Sequence, residues 1–67
     1  MIKVGDKIRV KGDTRDFTDH LDGEILVVVA TPDDYGDYVL DDNTYLAKDK
    51  DGDNWYIWAE NITEVVS

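Results

Sequence analysis

Six consecutive apolar residues, Ile-Leu-Val-Val-Val-Ala, run from Ile25 to Ala30, with Gly23 just upstream and Pro32 just downstream. This run constrains the chain more than any other stretch. Three of the six are Val, whose branched Cβ is stiff and crowds a helix but fits a pleated surface. The run is too short for a good helix and is bounded by turn residues, so it is expected to be a strand. Period two puts Ile25, Val27 and Val29 on one face and Leu26, Val28 and Ala30 on the other. Both faces are apolar, so both are expected to be covered. The stretch Gly23–Ala30 is therefore expected to be the central strand of a small barrel or sandwich.

The rest of the chain divides around it. Val4-Gly5-Asp6 is an entry turn, and Lys7 to Lys11 alternates as a half-buried strand with Ile8 and Val10 facing in. Gly12 to Asp22 is a polar connection, and its only large apolar residues, Phe17 and Leu21, are expected to tuck it against the barrel end. Thr31 to Asp37 is dense in turn residues, and Pro32 ends the ladder for want of an N–H. Tyr38-Val39-Leu40 is a short strand, Asp41-Asp42-Asn43 a kink, and Thr44 to Lys48 a further strand. The Asp51-Gly52 dipeptide signals a hairpin leading into Trp55 to Ala59. There Trp55, Ile57 and Ala59 are expected on one face, Tyr56 and Trp58 on the other. Ala59-Glu60-Asn61 is a single 3₁₀ turn, and Ile62 to Val66 closes the fold.

Residues 1–67 thus make one domain of all-β class, with five or six antiparallel strands and one 3₁₀ turn before the last. No Cys is present, so no disulfide framework exists and a zinc site would lack its commonest ligands. No signal peptide or membrane-length apolar run is visible, and a cytoplasmic location is expected. No cofactor is expected.

Charge is the main functional cue. Sixteen acidic residues, thirteen of them Asp, stand against seven basic ones, for a net charge of −9. Residues 1–30 hold five basic and six acidic groups, and residues 31–67 two and ten. Such a surface repels nucleic acid and anionic lipid and attracts basic partners.

The opening Val-Gly-Asp-x-Ile-x-Val (Val4 to Val10), the acidic loop, the buried second strand, the distal Asp-Gly hairpin and the turn before the last strand together resemble an SH3-like barrel. Trp58-Ala59-Glu60-Asn61-Ile62 stands where the eukaryotic family has Pro-Ser-Asn-Tyr-Val. The family's Tyr-rich ligand loop and tandem Trp are absent, and Trp58 replaces its Pro. The opening and the late aromatics look more like the small SH3-like proteins of bacteria and their phages.

Two constellations invite chemistry. Asp49, Asp51, Asp53 and Glu60 have the spacing of positions 1, 3, 5 and 12 of a calcium loop, but Asn54 stands where Gly is needed and strands flank the loop. A solvated hairpin tip is expected, and no metal site. His20 is the single histidine, and no nucleophile–base arrangement accompanies it, so no catalytic residues and no enzymatic activity are expected. Aromatics rimmed by charge mark binding surfaces instead. The expected function is binding of a basic host protein, without direct contact to nucleic acid or membrane. Its expected surface comprises Asp33, Asp34, Asp37, Asp41, Asp42, Tyr56 and Trp58. In the sharper form the chain is a phage-encoded inhibitor whose carboxylates imitate phosphates. The alternative is a peptide- or assembly-binding module whose charge serves solubility.

Overall fold

The computed structural model describes residues 2–36, 38 and 40–66. Among the described residues five strands are present: β1 (Lys7–Val10), β2 (Ile25–Ala30), β3 (Thr44–Lys48), β4 (Asn54–Trp58) and β5 (Ile62–Val65). All pairings are antiparallel, in the order β4-β3-β2-β1-β5. The apolar run is thus the middle strand of five, as its composition requires. The fold is all-β, consistent with a small SH3-like barrel. A 3₁₀ turn, Ala59–Asn61, leads into β5, and two more, Thr14–Asp16 and Asp19–Leu21, lie in the long polar connection. Among the described residues no helix is long and apolar enough to cross a membrane.

The core forms on one face of the sheet. Ile8 and Val10 of β1, Leu26 and Val28 of β2, Ala47 of β3 and Ile57 of β4 are buried together with Leu21. Trp55 packs against this cluster half-buried, as do Tyr45 and Ile62. The exposed area, 4427 Å² for 7.6 kDa, is close to the ~4,300 Å² expected of a folded monomer of that mass. The hairpin between β3 and β4 forms as its Asp-Gly dipeptide dictates. Asp49 Oδ1 accepts from the N–H groups of Asp51 and Asp53, both at 2.9 Å. Gly52 adopts φ +86, a left-handed conformation that a Cβ would penalise.

Four expectations need correction. First, β2 is covered on one face only. Leu26 and Val28 are fully buried, but Ile25 is 41% and Val27 40% exposed. Ile25 and Val27 oppose Arg9 and Lys7 of β1, and Val27 also opposes Lys48 of β3. Their face is the outer, charged face of the sheet. Second, Phe17 does not tuck in. It ends the first 3₁₀ turn in the left-handed region (φ 59) and is 79% exposed. Thr18 is buried in its place, donating its hydroxyl to the Asp13 carbonyl, while Leu21 seals the core as expected. Third, Tyr38 and Leu40 belong to no strand, and Val39 lies outside the described residues. Fourth, Ala59 does not extend β4 on the face of Trp55 and Ile57. It is exposed and opens the 3₁₀ turn.

Candidate functional site

β2 and β3 are antiparallel, so the segment joining them lies at one end of the sheet, where β2 ends and β3 begins. β4 also ends there, since Thr44 opposes Trp58. The expected acidic residues that can be located, Asp33, Asp34, Asp41 and Asp42, all belong to this end. Asp37 lies outside the described residues.

Each pair of carboxylates is carried by a pinned turn. Thr31 and Asp34 form a two-way backbone bridge, with both N···O distances 3.1 Å. The Asp34 N–H also reaches Thr31 Oγ1 at 3.0 Å. Thr31 is buried, so the turn is anchored while Asp33 and Asp34 stay exposed. In the second turn, the Thr44 N–H donates to the Asp41 carbonyl at 3.1 Å, and the Ala59 N–H donates to the Asn43 carbonyl at 2.7 Å. The second bond ties the acidic turn to the 3₁₀ turn before β5. Between them lies a hollow of about 280 Å³ lined by Asn43, Trp58, Ala59 and Glu60. Asp41 and Asp42 are exposed beside it. Among the described residues, none of these four carboxylates enters an ion pair.

Trp58 is half-buried, with the Arg15 guanidinium 5.2 Å from its ring centroid. Arg15 in turn pairs with Glu60 at 2.7 Å and with Asp13. Asp13 also accepts from Asn61 Nδ2 at 2.8 Å and from the Arg15 backbone N–H at 2.9 Å. These hydrogen bonds, led by those from Arg15, hold the Asp13 carboxyl far below its ordinary range and raise the Arg15 guanidinium above its own. The network clamps the long connection onto the 3₁₀ turn and covers one side of Trp58. Sequence reasoning did not single out Arg15 or Asn61, whose partners are distant in the chain. Nor did it expect Phe17 to be exposed, two residues from the arginine that covers Trp58.

Tyr56 stands on the same side of β4 as Trp58, one alternation nearer the hairpin. It is 50% exposed and opposes Leu46. By strand alternation it shares the outer face with Lys48.

The hairpin acids stand elsewhere as well. Asp49–Asp53 joins the other ends of β3 and β4. The five residues of β3 span ~13 Å at ~3.3 Å per step, so Asp51 and Asp53 do not converge with Asp41 and Asp42. Glu60 lies past the far end of β4 from Asp49, which undoes the calcium-loop spacing. Among the described residues no group of three or more potential metal-ligating side chains occurs. Asp49 has a structural task, since its Oδ2 accepts from the Trp55 indole N–H at 2.7 Å. That bond, with backbone N–H groups of the hairpin, lowers its pKa. His20 packs edge-on against Trp55, centroids 4.7 Å apart, and so braces the same indole.

Searches against protein-family models, curated proteins and solved structures find no match to this chain.

Proposed function

We propose that this protein is a non-enzymatic binding module that presents the acidic end of its sheet to a basic surface on another protein. The observation that carries this reading is that four exposed carboxylates, unpaired among the described residues, stand on two pinned turns of the one segment that joins β2 to β3. No Lys or Arg occurs from residue 31 to 47, so the field at this end is not neutralised from within the loop. A fixed array of like charges speeds encounter with an opposite surface and penalises wrong partners. The hollow beside Trp58 offers a place for an apolar or cationic side chain of the partner.

The sharper form is a phage-encoded inhibitor occupying the nucleic-acid site of a host protein. It draws support from the acidic end alone, because the hairpin acids lie at the other end of β3. That same distribution favours the second reading, in which acids spread over both ends serve solubility.

Affinity capture from a bacterial lysate separates the two. Wild type and a variant carrying Asp33→Asn, Asp34→Asn, Asp41→Asn and Asp42→Asn serve as parallel baits. The binding reading predicts a basic protein retained by wild type, released by high salt and absent from the variant. Identical retention by both baits, or none by either, supports solubility.

A further inference from the structure

Three of the basic residues of this acidic chain stand together. Lys7, Val27 and Lys48 form one cross-strand row, and Arg9 and Ile25 begin the next. Three of the seven basic residues, Lys7, Arg9 and Lys48, thus lie on the outer face of β1 and β3, while Lys50, past the end of β3, belongs to the acidic hairpin with Asp49, Asp51 and Asp53. Among the described residues paired across these strands one acid shares it, Glu64, and it is engaged with Arg9 at 3.2 Å. Lys7 and Lys48 enter no ion pair among the described residues. The strand positions of the face therefore sum to +2 (three basic less one acidic) on a chain of −9. At its centre Ile25 and Val27 are about two-fifths exposed. An apolar centre with a charged rim is the anatomy of an interface.

We propose that this face docks onto the acidic end of a second copy of the chain. The complement it needs is acidic and carries apolar or aromatic surface. The segment joining β2 and β3 has both, with Asp33, Asp34, Asp41 and Asp42 alongside Tyr35, 50% exposed, and Tyr38, 39% exposed. Two molecules of net charge −9 repel at a distance. The molecule measures 26 × 25 × 22 Å, however, and the Debye length at physiological salt is ~8 Å. Once the surfaces meet, the remote acids are screened and the local complement decides. Because the face and the end are different surfaces, the contact is heterologous: each pair keeps one free end and one free face, and growth continues unless a ring closes. The inference rests on the same acidic end that the functional reading assigns to a basic partner, so self-association and partner binding compete.

The test is sedimentation equilibrium on the purified chain alone, up to ~1 mM and at physiological salt, a concentration that covers the weak interfaces of small area. Because no partner is present, the result is independent of the capture experiment. Wild type is expected to associate reversibly. Lys7→Gln with Lys48→Gln is expected to weaken association roughly tenfold or more. Lys3→Glu, which reaches the same net charge of −11 without touching the face, is expected to leave it intact. Circular dichroism confirms that each variant is folded, and mixing restores the contact in a way misfolding does not. A Lys7→Glu, Lys48→Glu variant and a second carrying Asp33→Lys, Asp34→Lys, Asp41→Lys and Asp42→Lys are each expected to be monomeric alone and to associate when mixed, as the native end of the first meets the native face of the second. A monomeric wild type at ~1 mM overturns the proposal. So does an oligomer indifferent to Lys7 and Lys48, or a monomer whose outer face instead binds an acidic peptide.

Discussion

Val27 and Val28 are adjacent on one strand and chemically identical, yet introducing a carboxylate has opposite expected consequences at the two. Val28 is 1% exposed, among Ile8, Leu26 and Ile57. Val28→Asp forfeits about 1.5–3 kcal/mol of apolar burial and strands a polar group at about 2–7 kcal/mol. The sum, roughly 4–10 kcal/mol, matches the entire stability of a chain this long, roughly 3–10 kcal/mol at ~0.05–0.15 per residue. The variant is expected to be unfolded at 25 °C. Val27 is 40% exposed and stands between Lys7 and Lys48. Val27→Asp loses up to ~1 kcal/mol of strand preference and gains two opposite-charge cross-strand neighbours at roughly 0.2–1 kcal/mol each. The net change is expected within ~1 kcal/mol, or a Tm shift of no more than ~4–8 °C. Circular dichroism during thermal and urea melts measures both. A cooperative, folded Val28→Asp protein beside an unfolded Val27→Asp one would show that β2 faces the other way, and the core and the basic outer face would both be misassigned.

Gly12→Ala should destabilise by roughly 1–3 kcal/mol in urea melts, because its Cβ would stand 2.6 Å from the Asp19 carbonyl oxygen and 2.8 Å from its Cα. Asp13 and Asp49 have lowered folded-state pKa values, so their contribution is present above pH ~4, the unfolded value, and is lost as pH falls below it. Asp13→Asn should accordingly flatten the acid side of a stability–pH curve while shifting the neutral plateau down. Millimolar calcium should leave Tm unchanged within error, since Glu60 is carried away from Asp49 by the length of β4; a saturable rise abolished by Asp51→Ala would contradict this.

Local signals announced most of the architecture. The Val-rich run, the Asp51-Gly52 dipeptide and the Ala59-Glu60-Asn61 turn each act through nearest-neighbour stereochemistry, and each stands where the residues put it. Which face of β2 is covered was not legible, because both faces are apolar and coverage depends on what other elements leave over. The exposure of Phe17 follows from a left-handed turn terminus that no sequence pattern marks. The Asp13–Arg15–Asn61 clamp joins residues 48 positions apart, beyond any periodicity. Of the candidate site, the acidic loop was visible from composition. Its placement at the opposite end of β3 from the hairpin acids, and Tyr56 on the face that carries Lys48, required the strand register.

The central claim is that the carboxylates at the end of β2 and β3 steer a basic partner. Association and dissociation rates for the captured protein, measured against wild type and the four-Asn variant from about 50 to 500 mM salt, test it most directly. Steering between exposed charges is screened over ~8–10 Å. The account therefore predicts that the variant associates more slowly at low salt, that the two association rates converge as salt rises, and that dissociation changes little. Equal association rates at low salt would contradict it.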